Sequence, residues 1–310
     1  MSRSELVFYT AILIVMGAGW GITSPLSKVA VSTGYGSFGL VFWQLVIGAV
    51  LLGLIQIARG RRAIPFGRGA LKTYVVIAMV GTVIPNSASF HAYIHLPAGV
   101  MSVLLSTIPM LAFPVALVLG VERFGWQRLV GLCFGFLGVS LLVFPEASLP
   151  DPAMLAWIPL ALVAPMCYAF EGNYVARWGT SGLDGIEVLY GASVVGALIA
   201  LPLAIGSGQF ITPQFPLGAA DWALIASSVV HALVYSTYVW LVGRAGPVFT
   251  VQVSYLVTGF GVVWALLLLG ESYSPWFWAA MALILLGVFL VQPRKRETLE
   301  ADRAIGDTGG

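Results

Sequence analysis

Charged residues are scarce in this sequence, and their scarcity excludes most classes of soluble protein. Aspartate, glutamate, lysine and arginine make up 9% of the 310 residues, against 59% hydrophobic residues and a mean hydropathy of +0.95. An average soluble domain carries roughly 25% charged residues. The formal net charge is +2, so nothing favours binding to nucleic acid. The composition therefore predicts a membrane protein.

Cysteines are few, and nucleotide-binding motifs are missing. Cys133 and Cys167 lie within apolar runs that have no metal-binding or redox spacing, so we interpret both as small packing residues. The phosphate-binding pattern G-x-x-x-x-G-K-[ST] does not occur, which excludes ATP hydrolysis by that motif. We expect no disulfide framework, no metal and no cofactor.

A duplicated motif organises what is present. Gly120-Val121-Glu122 precedes an apolar helix that ends near Gly138, and Leu269-Gly270-Glu271 precedes another that ends near Gly287. The two glutamates are separated by the same number of residues as the two later glycines. This self-similarity predicts two copies of one structural unit.

Ten segments approach the length of about 20 mostly apolar residues that a membrane-spanning helix needs. They are 6–28, 37–58, 72–94, 97–119, 127–144, 153–176, 185–206, 220–242, 247–269 and 275–292. The first segment is interpreted as a retained span, because it ends at Lys28 without a clear small-residue cleavage site. The prediction is an all-α membrane protein of ten transmembrane helices, with one repeat in 1–144, a second in 145–292 and a disordered polar tail in 293–310.

The basic residues predict the orientation. Lys and Arg gather in cytoplasmic loops, and with a cytoplasmic N-terminus fourteen of the fifteen basic residues lie inside, leaving only Lys28 outside. Five spans in each copy insert the second copy upside down. Inverted repeats recur in secondary transporters, which bind substrate near the membrane midplane between the halves. We therefore predict two inverted five-helix repeats around a central cavity, with both termini in the cytoplasm.

Short motifs in both copies also match a known family. They are Trp20 to Lys28, Pro97-Ala98-Gly99, Pro109 with Gly120-Val121-Glu122, and Leu269-Gly270-Glu271 with Gly287. With these motifs the chain resembles the EamA-like branch of the drug/metabolite transporter superfamily over about residues 8 to 292. The resemblance implies an exporter of small metabolites in a bacterial inner membrane. Within the branch the chain is most similar to bacterial aromatic-amino-acid exporters, although Thr258-Gly259 stands where the first copy has Pro109.

Aromatic and amide side chains inside the spans are the candidates for substrate binding. Tryptophan and tyrosine normally gather at the membrane interfaces, whereas a deeper aromatic residue beside an amide resembles a small-molecule pocket. The candidates are Trp20, Trp43, Gln44, Asn86, His91, Tyr168, His231, Tyr235, Tyr238, Gln252, Tyr255 and Trp264. For each aromatic residue the alternative is packing, and for the two histidines it is an interhelical hydrogen bond.

Four charged residues carry separate hypotheses. Glu171 lies well inside a span, where an acid is a functional hypothesis by default; it is the candidate for ion coupling, with snorkelling or pairing to an arginine as the alternative. Lys28 either snorkels or meets a substrate carboxylate near the outer exit. Glu122 and Glu271 follow apolar helices, and we expect each to accept hydrogen bonds from backbone amides at the start of the next helix.

The favoured function is export of a small amphipathic metabolite, such as an aromatic or other neutral amino acid, by alternating access. The expected partners are that substrate and the lipid bilayer, and the protein is expected to be a monomer. A carrier of drugs or nucleotide sugars, a passive solute channel and an intramembrane protease are the alternatives. Gly179-Thr180-Ser181-Gly182 matches a G-x-S-G protease pattern, but it lies in a short loop and is interpreted as a turn.

Overall fold

The computed structural model describes residues 3–61, 64–143 and 151–291, and all regular secondary structure in these ranges is helical. The apolar helices of these ranges are α1 Arg3–Ala30, α2 Ser37–Ala58, α3 Arg68–His95, α4 Ala98–Val118, α5 Trp126–Val143, α6 Pro152–Trp178, α7 Gly185–Gly206, α8 Ala219–Ala245, α9 Val253–Leu269 and α10 Pro275–Val291. The predicted tail, the loop after residue 144 and the basic residues Arg62, Arg294, Lys295, Arg296 and Arg303 lie outside the described residues.

Seven of these helices, α1 to α4 and α6 to α8, are long and apolar enough to cross a membrane. The helices α5, α9 and α10 are apolar but shorter, near the lower end of the range for spanning helices. A separate short helix, Pro247–Thr250, precedes α9 where the sequence predicted one continuous span from 247.

Prolines explain two irregular helices. In α3 a π-helical turn, Met79–Val83, precedes Pro85. Proline has no N–H to bond the carbonyl of Gly81, and its ring crowds that carbonyl, so a wider turn relieves the clash. In α4 the helix is interrupted at Ser106 and Thr107, just before Pro109. The hydroxyl groups of Ser106 and Thr107 donate to the carbonyls of Val103 and Leu104, both at 2.6 Å, so both hydroxyl groups are bonded to the backbone at the interruption.

The first five helices and the last five contact each other in matched pairs. Helix α1 packs against α8 and α9, and its counterpart α6 packs against α3 and α4. Helix α2 packs against α7 and α8, while α7 packs against α2 and α3. The remaining large contact joins α5 to α10. Exchanging the two copies reproduces each of these contacts.

Glycines allow the close contact between α5 and α10. A Cβ on Gly131 would lie 2.7 Å from the carbonyl oxygen of Gly287, and a Cβ on Gly287 would lie 2.9 Å from the amide nitrogen of Gly135. A Cβ on Gly138 would meet Ile284 at 2.6 Å. The repeated Gly138 and Gly287 are therefore interior packing residues in this chain.

Side-chain contacts define two ends of the bundle. At one, which we call the Arg59 end, Arg59 and Arg61 at the end of α2 form ion pairs with Asp184, which caps α7. At the other, the Lys28 end, Lys28 at the end of α1 lies against the end of α3. Tyr9 at the start of α1 contacts Trp240 near the end of α8, which places both at the Arg59 end.

Candidate functional site

A chain of hydrogen bonds joins three helices inside the bundle. Asn86 of α3 donates to the side-chain oxygen of Gln44 of α2 at 2.8 Å. The hydroxyl group of Tyr168 of α6 donates to the side-chain oxygen of Asn86 at 2.8 Å. Asn86 is thereby held from both sides, and the amide nitrogen of the half-buried Gln44 donates to no side chain or carbonyl in the described ranges, so it is available to a ligand. These residues form one polar wall.

Glu171 lies one helical turn beyond Tyr168 on the same wall. Its carboxylate faces the π-helical turn of α3, because a Cβ on Gly81 would lie 2.6 Å from Glu171 Oε1. Within the described ranges no arginine or lysine forms an ion pair with Glu171, so the alternative of pairing with an arginine finds no support there. A half-buried carboxylate in the membrane without a counter-ion is costly to keep.

Aromatic rings form an opposite wall on α1 and α8. The centroid of the Trp20 ring lies 6.1 Å from that of His231 and 5.6 Å from that of Tyr238. The His231 and Tyr235 rings lie 6.4 Å apart and nearly parallel. The indole nitrogen of Trp20 is buried and has no hydrogen-bond partner among the described residues, so it is a donor available to a ligand.

His231 shows that these walls line an internal cleft. Helix α8 contacts α1 through Val234 and contacts α2 through Ala232, while its exposed Leu233 faces away from the bundle. Residues two apart on a helix point about 200° apart, so His231 faces opposite to Leu233, into the bundle. His231 is nevertheless exposed. Its accessible surface must belong to a space between the helices.

Both walls lie inside the bundle, on two helix pairs that are counterparts under exchange of the copies, α3 with α6 and α1 with α8. We call the resulting set the central site. Its members are Trp20, Gln44, Asn86, Tyr168, Glu171, His231, Tyr235 and Tyr238. It combines one carboxylate, neutral hydrogen-bond donors and broad aromatic surfaces, which suits a small ligand with an apolar body and a polar head.

Two predicted site residues lie towards the Lys28 end instead. The indole nitrogen of Trp43 donates to the backbone carbonyl of Ile211 at 2.9 Å, in the connection after α7. His91 is exposed, and its ring contacts His95 and Trp157 rather than the central site. The Trp43 hydrogen bond therefore links α2 to the segment that follows α7. His91 lies on the side of α3 that faces the start of α6.

Three further predicted residues lie on α9 or just before it. The indole nitrogen of Trp264 donates to the carbonyl of Ala18 at 3.0 Å, which ties α9 to α1. Tyr255 packs against the main hydrophobic core. Gln252 is exposed at the N-terminus of α9.

Lys28 caps the C-terminal end of α3. Its ammonium group donates to the backbone carbonyls of Tyr93 at 2.5 Å and Leu96 at 3.0 Å, at the end of α3. A cation at the C-terminus of a helix satisfies carbonyls that lack partners and interacts favourably with the helix dipole. The contacts therefore support a structural role for Lys28.

The sequence interpretation missed the π-helical turn beside Glu171. Pro85 was the available signal, since an interior proline demands a local distortion about four residues earlier. Which neighbour would face that distortion could not be read from the sequence. Elsewhere in the described ranges, no group of three or more His, Cys, Asp or Glu side chains is placed to hold a metal ion.

Comparisons with known proteins agree with this architecture. The profile of the EamA-like transporter family matches residues 8–144 and 155–292, so the matched domain is duplicated. A Streptantibioticus cattleyicolor protein named "Probable terminal-alkyne amino-acid exporter" is 26% identical over 307 residues, covering 95% of each chain. A WAT1-related chloroplastic protein of Arabidopsis thaliana is 23% identical over 283 residues, covering 88% of this chain and 66% of the relative.

A solved crystal structure shares the fold. It has a TM-score of 0.62 and 18% sequence identity, and the match covers 98% of this chain and 99% of the other. The family assignment confirms the predicted resemblance to EamA-like transporters of the drug/metabolite transporter superfamily. It also confirms a multi-pass membrane protein with a transport function.

Proposed function

We propose that this chain, which belongs to the EamA-like transporter family, exports small amphipathic metabolites, with amino acids as the favoured class. Transport proceeds by alternating access of two inverted five-helix repeats, 1–144 and 145–292, around the central site. The protein acts as a monomer and needs no cofactor. The observation that carries the proposal is the central site itself, where the Glu171 carboxylate, the hydrogen-bonded amides of α2 and α3 and the aromatic rings of α1 and α8 lie inside the bundle.

The matched contacts support the inverted arrangement. Trp20 of α1 meets His231 of α8, and Tyr168 of α6 meets Asn86 of α3. These two helix pairs are counterparts under exchange of the copies. Five helices in each repeat, all crossing the membrane, give the repeats opposite orientations, and the substrate then lies between them near the midplane.

The chemistry of the central site suits a zwitterion. The Glu171 carboxylate attracts an ammonium group, while the Gln44 amide and the unpaired Trp20 indole N–H can donate to a carboxylate. The rings of Tyr168 and Tyr238 provide apolar surface for a side chain. The name of the Streptantibioticus cattleyicolor relative, an amino-acid exporter, points to the same class of substrate.

Charge distribution supports cytoplasmic termini in a bacterial inner membrane. Among the described residues, Lys28 is the basic residue that lies at the Lys28 end, and the other basic residues lie at or near the Arg59 end. Because basic residues favour the cytoplasm, the Arg59 end is proposed to be cytoplasmic. A cysteine at Gly208 should react with an impermeant reagent from outside, and one at Gly60 should not. The reverse pattern would overturn the orientation.

Transport into proteoliposomes tests the function directly. Labelled aromatic and other neutral amino acids, measured with and without a pH gradient, should show saturable uptake. Uptake that rises linearly with concentration would instead indicate a channel, and saturable uptake restricted to drugs or nucleotide sugars would overturn the amino-acid assignment.

Glu171→Gln tests ion coupling. If Glu171 carries the coupling proton, the variant loses the pH dependence of transport, because glutamine binds no proton at any working pH. Asp184→Asn, which removes an acid from the Arg59 end, is the control and should keep wild-type pH dependence. An unchanged pH profile in Glu171→Gln would return Glu171 to a packing role.

Trp20→Ala tests the aromatic wall. Loss of the indole ring removes contact area and a free donor, so the half-saturation concentration for substrate should rise about tenfold or more, the effect of removing roughly 1.4 kcal/mol of binding free energy. Gln252→Ala is the comparison, and since Gln252 is exposed at the start of α9, it should leave the affinity unchanged. Equal increases of the half-saturation concentration in both variants would contradict the membership of the central site.

A further inference from the structure

A second recess lies on the outside of the contact between α1 and α8. Its volume is about 470 Å³, and its walls include Phe8, Val15 and Gly19 of α1 and Val230, Leu233 and Thr237 of α8. We call it the α1–α8 groove. No lining residue is charged, and the Thr237 hydroxyl already donates to the carbonyl of Leu233 at 2.9 Å. The groove therefore offers no unsatisfied polar group to a ligand and suits hydrocarbon.

The groove opens away from the bundle. Phe8, Val15 and Leu233 are 57%, 70% and 53% exposed, and Leu233 lies on the side of α8 opposite to His231. In a membrane-spanning helix such a surface faces lipid. From Phe8 to Gly19 the groove extends along eleven residues of α1, or roughly 16 Å at 1.5 Å per residue. That length accommodates a large part of one fatty acyl chain.

A cation stands beyond one end of the groove. Arg244 lies two helical turns beyond Thr237 on the same side of α8, is exposed, and rests 5.8 Å over the ring of Trp240. Within the described ranges Arg244 forms no ion pair. Glu5, in the first turn of α1, is the acidic residue on the groove side at this end. Tryptophan and arginine at a helix end mark the depth of lipid headgroups.

We propose that the α1–α8 groove binds one phospholipid, with an acyl chain along Val15 and Thr237 and the phosphate group at Arg244. The apolar lining selects the chain, and the guanidinium group supplies the charge that complements phosphate. At the end of the groove away from Arg244 lie Gly19 and Val230, the residues immediately before Trp20 and His231. The bound chain thus ends beside the helix positions that carry the aromatic wall of the central site.

Lipid retention during purification tests the site without reference to transport. The protein is exchanged into detergent containing an equal mixture of dioleoyl phosphatidylglycerol, dioleoyl phosphatidylethanolamine and dioleoylglycerol, and bound lipids are counted by native mass spectrometry. The wild type should retain one phospholipid and no dioleoylglycerol. Equal retention of dioleoylglycerol would overturn the role assigned to phosphate and Arg244.

Filling the groove gives the matched comparison. Val15→Trp and Thr237→Trp fill the groove from opposite walls and should lower phospholipid retention at least tenfold. Leu267→Trp is the control and should not lower it, because Leu267 of α9 is 69% exposed outside the groove. Arg244→Gln should weaken retention about fivefold, and Arg177→Gln, at the end of α6, should leave it unchanged. Wild-type retention in both tryptophan variants would overturn the proposal. A change of oligomeric state in those variants would also overturn it, by assigning the groove to a second copy of the chain.

Discussion

Glu122 and Glu271 occupy the same position in two copies of one motif, yet their contacts differ. Glu122 forms an ion pair with Arg128 in the first turn of α5, at 2.9 Å. The Arg128 side chain is only 8% exposed and lies 5.4 Å from the centre of the Phe113 ring. One of its terminal nitrogens has no hydrogen-bond partner in the part of the chain that the structure describes. This end of the first copy therefore depends on a buried pair of charges.

Glu271 makes hydrogen bonds to the other copy. Its carboxylate accepts from the backbone amides of Ala98 at 2.7 Å and Gly99 at 3.1 Å, at the start of α4. The hydroxyl group of Tyr273 also donates to it, and Lys28 attracts it electrostatically. The sequence predicted that these amides would belong to the following helix, but they belong to α4 of the first copy. Glu271 caps α4 at its positive N-terminal end.

Neighbouring substitutions explain the difference. Position 128 of the first copy corresponds to position 277 of the second, where Phe277 replaces Arg128 and stacks on Tyr273 at 4.0 Å. Position 124 corresponds to position 273, so the exposed Phe124 is replaced by a tyrosine that supplies a hydroxyl group. A repeated residue keeps its place in the chain, but the residues around it decide which partner it takes.

Glu122→Ala should give the largest loss of stability. It leaves the Arg128 cation buried without a partner, which costs about 3–5 kcal/mol in the free energy of unfolding. Thermal unfolding in detergent measures the loss. The double variant Glu122→Ala with Arg128→Met removes both charges and should recover most of the stability. No recovery would show that the ion pair is not the source of the effect.

Glu271→Gln should have a smaller but clear effect. It removes the negative charge that strengthens two backbone hydrogen bonds, and each charge-assisted bond contributes about 1.5–3 kcal/mol. Because glutamine can still accept one bond, the net loss in the free energy of unfolding should be about 2–3 kcal/mol. Thermal unfolding in detergent is again the measurement. Ser272→Ala, at the exposed neighbouring position, is the control. Equal stability of Glu271→Gln and the wild type would contradict the cap.

Tyr273→Phe makes the second copy resemble the first. It deletes the hydroxyl group that donates to Glu271 while the ring keeps its stack on Phe277, so the cost should be about 1–2 kcal/mol. Denaturant unfolding of the purified protein measures it. The reverse change, Phe124→Tyr, should bring no gain, because Phe124 is 57% exposed. A stabilising Phe124→Tyr would mean that the two copies are more alike than their contacts indicate.

Asp184→Asn should have the smallest effect. Partial burial acts to raise the pKa of Asp184. Hydrogen bonds from Arg59 and from the backbone of Glu187, together with the positive charges of Arg59 and Arg61, act in the opposite direction. Their combined effect is larger, so the pKa of Asp184 lies below its ordinary value. The ionised form is therefore favoured by folding, and its contribution is lost as the pH falls through the folded pKa. Asparagine keeps the helix cap, so the loss at neutral pH should be below about 1 kcal/mol.

The pH dependence of stability checks the prediction for Asp184→Asn. The stability difference between the wild type and Asp184→Asn should be present at neutral pH and should vanish in acid, where Asp184 is protonated. A difference that persists unchanged in acid would assign the effect to the geometry of the cap instead of to charge.

Most of the fold could be predicted from the sequence because membrane spans obey a strong constraint. Backbone groups in lipid must be bonded within the segment, so long apolar runs such as 37–58 and 185–206 form helices, and both limits agree with the structure. Two interruptions were not predicted: the π-helical turn that precedes Pro85 inside α3, and the break between the short helix Pro247–Thr250 and α9. Composition alone does not resolve such local changes of helical geometry.

The candidate site was predicted only in part. Trp20, Gln44 and Asn86 were recognised as deep aromatic or amide residues, and the structure gathers them with partners from other helices. Trp43 and His91 satisfy the same depth criterion, yet their contacts lie elsewhere, and Gln252 is exposed at the N-terminus of α9. Depth along a helix follows from counting residues, whereas the direction in which a side chain points depends on how the helix is rotated against its neighbours.

The sequence by itself determined the class of the protein, its duplication and the approximate positions of its helices, since all three depend on composition and local periodicity. Only the tertiary structure decided that Lys28 caps α3, that Arg128 pairs with Glu122 and that Glu171 lies against the π-helical turn at Gly81. Each of these contacts joins residues of different helices or turns, and apolar packing in a bilayer leaves many helix rotations open. The rotation that was adopted is fixed by glycine contacts such as those of Gly131 and Gly287, where two backbones meet directly.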